Sequence, residues 1–226
     1  MKFIEDPAVQ RGKAASRGYL FTKRAVDILA SVCGILLFSP FMLLTAILIK
    51  ASDGGPVIYQ QIRLTKNRKA FKILKFRSMV LDAEKDGVAR LSSGDRDIRV
   101  TPVGHFIRTC HFDEIPQLFN ILRGDMTFVG PRPERPEIAE RYEKELPDFA
   151  QRLRVKAGLT GYAQLYGTYS SPPAEKLKYD LRYINRMNTL TDLEILFKTF
   201  CFIANAFRHA VSGTRQQASV EDSAKY

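Results

Sequence analysis

The chain has 226 residues, 45% hydrophobic and 26% charged, which is the composition of one folded domain with room for an appendage. That excludes a wholly disordered chain, a collagen-like fibre and a low-complexity array. Lys+Arg 35 against Asp+Glu 24 give a net charge of +11, which selects anionic partners: nucleic acid, a phospholipid surface or phosphorylated substrates. Cys33, Cys110 and Cys201 lie far apart and, with three scattered histidines, offer neither a zinc spacing nor a disulfide framework. A reducing, cytoplasmic setting is the simplest reading.

Residues 1–22 are polar and aperiodic and read as a flexible arm. Residues 28–49 then run for 22 positions without a charge, long enough for a bilayer core of about 30 Å. Pro40 interrupts this run and deprives the Leu36 carbonyl of its helical donor; the Ser39 hydroxyl is a candidate substitute. Each half on either side of Ser39-Pro40 reaches about 15–18 Å, half a bilayer. Lys2, Arg11, Lys13, Arg17, Lys23 and Arg24 precede the run, and Lys50, Arg63, Lys66, Arg68, Lys69, Lys72, Lys75 and Arg77 follow it. Two basic flanks ask to lie on one side, which favours a re-entrant helix over residues 23–51 against a kinked single span.

Residues 57–61 and 70–79 alternate and read as short strands. Residues 83–99 read as a charged surface loop. Ile115, Leu118, Phe119 and Leu122 have helical spacing, ended by Gly124. Residues 136–153 read as an amphipathic helix interrupted near Pro147, and residues 158–161 as a turn. A helix is expected over 175–187. Thr191 and Glu194 form a capping box for another helix, reaching about residue 208. On that helix Phe200, Phe202, Ile203 and Phe207 are expected to pack on the domain rather than on lipid. Residues 209–226 read as a flexible tail.

The densest chemistry is Asp113-Glu114 in the stretch from Arg108 to Gln117. Acidic residues opening a helix are often no more than favourable charges at its positive end. Two adjacent carboxylates also suit a nucleophile beside a Mg²⁺ ligand, and Lys75, Arg77, Arg108 and Arg132 would hold a pyrophosphate. Gly130-Pro131-Arg132-Pro133 is a stiff turn around one arginine. Gly158-Leu159-Thr160-Gly161 is a weak candidate for a backbone phosphate nest. No phosphate-loop, dinucleotide or nucleophilic-serine motif is present.

In chain order, Ser39-Pro40, Gly55-Pro56, Lys75-Phe76-Arg77-Ser78-Met79, Thr101-Pro102-Val103-Gly104, Asp113-Glu114-Ile115-Pro116-Gln117-Leu118-Phe119-Asn120, Val129-Gly130-Pro131-Arg132-Pro133 and Gly158-Leu159-Thr160-Gly161-Tyr162-Ala163-Gln164 closely resemble the bacterial sugar transferases, the monotopic phosphoglycosyl transferases. The resemblance spans about residues 20–205. It implies transfer of a sugar 1-phosphate from a UDP-sugar to undecaprenyl phosphate, with release of UMP and with Mg²⁺. It implies a small α/β (α+β) catalytic domain over residues 52–208, amphipathic interfacial helices and a membrane helix turning at Ser39 and Pro40. Asp113 would be the covalent nucleophile and Glu114 the metal ligand, with Lys75, Arg77, Arg108, Gln117 and Arg132 binding phosphate or substrate. The setting implied is the cytoplasmic face of the bacterial inner membrane, against phospholipid, with no nucleic acid; a homodimer stays open. Where many members carry arginine after Gly167, this chain has Thr168, so Lys176 or Arg182 is expected to substitute. Two rivals of other classes are a membrane-tethered nucleic-acid-binding module and a noncatalytic scaffold.

Overall fold

A computed structural model describes residues 15–81, 83, 97–167 and 171–212. Most of the expected arm and surface loop, Thr168, the Phe207 side chain and the chain past residue 212 lie outside the described residues. The expectation of a mixed helical and stranded domain holds.

Helix α1 (Arg17–Asp53) is a single 37-residue helix, about 55 Å long. It begins six residues before the expected arm ends, because Ser16 caps it by accepting from the Tyr19 N–H at 3.1 Å. Ser39 Oγ donates to the Leu36 carbonyl at 2.8 Å, supplying the bond that Pro40 removes. Gly54 closes the helix at φ 70°. One stripe faces the domain: Asp27, Ser31, Thr45 and Ile49 are buried. The other faces leave Leu29, Leu36, Leu37, Leu43 and Leu44 exposed. Among the described residues this is the one helix long and apolar enough to cross a membrane.

Strands β1 (Ile58–Leu64) and β2 (Ala70–Phe76) form an antiparallel hairpin in register Ile58↔Phe76 to Leu64↔Ala70. Helix α2 (Pro102–Thr109) starts at Thr101, whose hydroxyl accepts from the Gly104 N–H at 2.9 Å. A 3-10 turn at Phe112–Glu114 precedes α3 (Gln117–Arg123), which stops at Gly124, φ 91°. Strand β3 (Met126–Val129) pairs in parallel with β4 (Ala157–Thr160). Between them lie α4 (Pro136–Glu145) and a 3-10 segment, Pro147–Arg154, divided near Pro147 as the sequence predicts. Helices α5 (Tyr162–Tyr166), α6 (Pro173–Asn185) and α7 (Thr189–Ser212) complete the domain.

Residues 158–161 therefore do not form a free turn: residues 158–160 belong to β4, which is pressed on Gly130, and Gly161 leads into α5. A Cβ at Gly158 would lie 2.1 Å from the Gly130 nitrogen, and one at Gly130, just past β3, 2.6 Å from the Lys156 carbonyl oxygen, so neither position tolerates a side chain. The Gly158 N–H donates to the Pro131 carbonyl at 2.8 Å and the Gly130 N–H to that of Thr160 at 2.8 Å. Gly158 thus has no donor to spare for a phosphate nest.

The start of α7 also differs from expectation. Asn188 accepts from the Thr191 N–H at 2.9 Å and is the cap, while Thr191 lies inside the first turn and donates its hydroxyl to the Arg186 carbonyl at 3.1 Å. Ile195 of α7 is fully buried, yet Leu190, Leu193, Phe197, Phe200, Phe202 and Ile203 are exposed rather than packed on the domain. Burial of the one face is complete without them.

The core has three parts. Val129, Phe149, Tyr162, Leu181, Tyr183 and Ile195 join β3 to α5, α6 and α7. Phe71, Ile73, Leu118, Ile121 and Met126 join the hairpin to α3. Ile49, Phe76 and Ile107 join the end of α1 to β2 and α2. Each such side chain contributes about 1.5–3 kcal/mol by leaving water.

Candidate active site

Lys75, Asp113, Glu114 and Arg132 come from three separate places in the chain and meet at one point. Lys75 continues the face of β2 that buries Phe71 and Ile73 toward α3. Asn120 of α3 holds that strand in place: its amide oxygen accepts from the Leu74 N–H at 2.9 Å and its nitrogen donates to the Lys72 carbonyl at 2.8 Å. Asn120 is fully buried, so losing either bond strands a polar group.

Arg132 is fixed by its backbone. The carbonyls of Pro131, Arg132 and Pro133 accept in turn from the Gly158 N–H at 2.8 Å, Arg152 Nη2 at 2.8 Å and Arg63 Nη1 at 3.2 Å. Arg152 is buried beside Asp180, with charges 2.8 Å apart. Burial pushes the Asp180 carboxyl up to about 6, against the pull of Arg152.

The two carboxylates do not open α3, as the sequence suggests. They occupy their own 3-10 turn, and Pro116 stands between them and the helix. Asp113 therefore does not stand in the first turn of α3, where the helix dipole would favour its charge. His111 opens the turn with a left-handed backbone, φ 56°. Glu114 Oε1 accepts from Lys75 Nζ at 2.6 Å and from Arg132 Nη2 at 2.9 Å. Burial alone would raise its carboxyl, but Arg132 and Lys75 reverse the sign and hold it well below the usual range. Asp113 Oδ2 lies 4.0 Å from Lys75 Nζ. Burial, with the charge of Glu114, pushes the Asp113 carboxyl above its ordinary value, while Lys75, Arg108 and His111 oppose the rise.

Of the other expected residues, Arg108 on α2 acts electrostatically on Asp113. Gln117 is buried at the start of α3, with Nε2 unpartnered. Arg77 is placed differently: it pairs with Asp53 and ties the end of α1 to the domain. Arg182 lies over the Tyr162 ring, 5.6 Å from its centroid, and Lys176 acts on Asp180.

The site borders the apolar surface. The Phe112 ring is 6.2 Å from Phe41 of α1, next to Pro40, and the His111 ring is 5.8 Å from Phe202 of α7. The residues that sequence reasoning gave no role are Asn120, Arg152 and Asp180. Asp180 carried a signal, since it falls on the stripe of Leu177, Leu181 and Ile184 where a carboxylate needs a buried partner.

The bacterial sugar transferase family model matches residues 18–206, and the chain belongs to that family. It is 42% identical over 192 residues to the UDP-N-acetylgalactosamine-undecaprenyl-phosphate N-acetylgalactosaminephosphotransferase of Aeromonas hydrophila, covering 84% of this chain and 45% of that protein. It is 40% identical over 182 residues to the UDP-glucose:undecaprenyl-phosphate glucose-1-phosphate transferase of Klebsiella pneumoniae, covering 78% and 39%. It is 39% identical over 191 residues to the exopolysaccharide production protein PSS of Rhizobium leguminosarum bv. phaseoli, covering 80% and 94%. The chain thus spans less than half of the first two relatives and nearly all of the third.

Proposed function

We propose that this chain transfers a sugar 1-phosphate from a UDP-sugar to undecaprenyl phosphate, releasing UMP, as the first membrane step of a surface polysaccharide or glycoconjugate pathway. One observation carries the reading. Of two adjacent carboxylates, half-buried Glu114 is engaged by Lys75 and Arg132, while buried Asp113 lies 4.0 Å from its nearest paired cation. A carboxylate so placed is the one able to attack phosphorus.

Asp113 attacks the sugar-bearing phosphorus of the UDP-sugar. The bond from that phosphorus to the UMP oxygen breaks, leaving a sugar phosphate on the Asp113 carboxylate. An oxygen of the acceptor phosphate then bonds to the same phosphorus, and the carboxylate is released. Lys75, Arg108 and Arg132 offset the charge on the phosphates throughout. The two substrates need never be present together, which suits one that is soluble and one that lies in the bilayer.

Among the described residues no three His, Cys, Asp or Glu side chains gather as a metal centre. Mg²⁺ ordinarily takes only one or two carboxylates and completes its shell with water and substrate phosphates, so Glu114 beside Asp113 fits it. Lys75 and Arg132 both bond Oε1, so Oε2 is the oxygen on offer. Bound there, the ion would neutralise charge on the phosphates.

The membrane reading rests on α1. Near its start Arg24 donates to the Ile121 and Leu122 carbonyls at 2.7 and 2.8 Å, and near its end Ile49 packs on Phe76 and Ile107. Both ends thus hold one domain, which supports a re-entrant helix whose exposed faces meet phospholipid on the cytoplasmic side of the inner membrane. The names of two relatives supply the acceptor and UDP-sugar donors, but they differ in the sugar. The test is UMP release by the full chain with several UDP-sugars and undecaprenyl phosphate. Release that requires the acceptor for multiple turnovers is expected; no release with any donor overturns the reading.

A further inference from the structure

His111 starts the turn that carries Asp113 and Glu114, and the chemistry above gives its side chain no task. It is one of three non-glycine residues at positive φ among the described residues, at φ 56° and ψ 19°, a conformation that glycine and asparagine take more readily. Its ring is exposed and stands 5.8 Å from that of Phe202 on α7. Phe202 belongs to the exposed apolar surface of that helix, with Phe200 and Ile203. On the other side the imidazole lies close enough to act electrostatically on Asp113. His111 therefore touches the apolar surface of α7 and lies within electrostatic reach of Asp113, two residues on.

A lipid-linked phosphate that approaches Asp113 from the apolar surface of α7 meets this position. Its chain stays with the apolar faces of α1 and α7, and its phosphate must reach the phosphorus on Asp113. Lys75 and Arg132 are bonded to Glu114, whereas the His111 ring stands beside Phe202. We infer that His111 binds the acceptor: its imidazole N–H donates a hydrogen bond to the phosphate of the polyprenyl phosphate as it approaches Asp113. This rests on the function proposed above. Neutral imidazole keeps one N–H donor and imidazolium has two, so the bond forms in either charge state. His111 transfers no proton; the only bonds made and broken are those at phosphorus already described.

Two plainer roles compete. One is acceptance of a left-handed backbone alone, the other packing of the ring on Phe202 alone; substitution separates them. His111→Gly suits the backbone and removes the ring. His111→Phe keeps a ring for Phe202 and removes the N–H. His111→Asn suits the backbone and keeps a short donor. The experiment measures steady-state kinetics of the full chain in detergent, varying undecaprenyl phosphate and the UDP-sugar in turn. We expect His111→Gly and His111→Phe to raise the KM for undecaprenyl phosphate about tenfold or more, with the donor KM within about threefold of wild type and His111→Asn between. The inference is overturned if acceptor KM stays within about threefold in both, if His111→Phe alone restores it, or if donor KM rises in step. Wild-type protein that releases no UMP with any donor would instead sink the function reading, and this inference with it.

Discussion

Asp192 and Asp113 are both largely buried aspartates beside a lysine, yet their surroundings differ, and the function proposed for Asp113 rests on that difference. Asp192 Oδ2 accepts from Tyr19 Oη at 2.8 Å and Lys23 Nζ at 2.7 Å, and Oδ1 accepts from Tyr183 Oη at 2.8 Å. Burial and the Asp192 charge push the Tyr183 hydroxyl well above its ordinary range, so it stays a donor. This carboxylate is saturated, and it joins α1, α6 and α7. Asp113 has its lysine at 4.0 Å and is pushed up by burial. A saturated carboxylate holds a fold together. One kept short of partners costs stability and keeps its oxygens for a reaction.

That contrast breaks most visibly at Asp113. Asp113→Asn should lower turnover by about a thousandfold or more. It should leave the melting temperature unchanged or higher at neutral pH. The sign follows from linkage: a carboxyl raised in the folded state favours folding at low pH, and that contribution is lost as pH rises from the ordinary carboxylate range through the raised value. Asparagine removes this loss, so the stability gap between variant and wild type should widen as pH rises. Thermal melts across pH check it.

Asp192→Ala should do the reverse. It leaves Lys23 largely buried and unpaired, at about 3 kcal/mol of stability. Chemical denaturation should show the loss, while activity per folded molecule falls much less than in Asp113→Asn. Asn120→Ala should lie between the two kinds of effect. It strands the Leu74 N–H and the Lys72 carbonyl, at about 1–3 kcal/mol, and loosens the strand carrying Lys75. Lys198→Met marks the small end: its pair with Glu194 at 2.7 Å is exposed and contributes about 0.5 kcal/mol or less.

Local signals made much of this legible. The Ser39 hydroxyl, Gly124, Pro147 and the alternation of Phe71 and Ile73 each act within a few residues, and the structure follows them. The Asp113-Glu114 pair and Arg132 were legible as motifs, and the structure brings them together with Lys75. What was hidden depends on tertiary contact. Strand β4 has four residues and its stretch reads as a turn because Gly158 serves a close approach to Gly130, while the four residues of β3 are too few to show a period. Arg77 looks like a phosphate ligand in a basic run until Asp53 arrives from α1. The exposed phenylalanines of α7 looked like core because periodicity marks an apolar stripe without saying what covers it.

The central claim is that Asp113 becomes covalently bonded to the sugar phosphate. The direct measurement is intact-protein and peptide mass spectrometry after incubation with a sugar-labelled UDP-sugar and no lipid acceptor. Expected are UMP in amounts near the enzyme concentration, label on a peptide containing Asp113, its release by hydroxylamine, and none of these with Asp113→Asn. Label that never attaches, with turnover following a ternary-complex rate law, would contradict the claim and leave direct transfer as the mechanism.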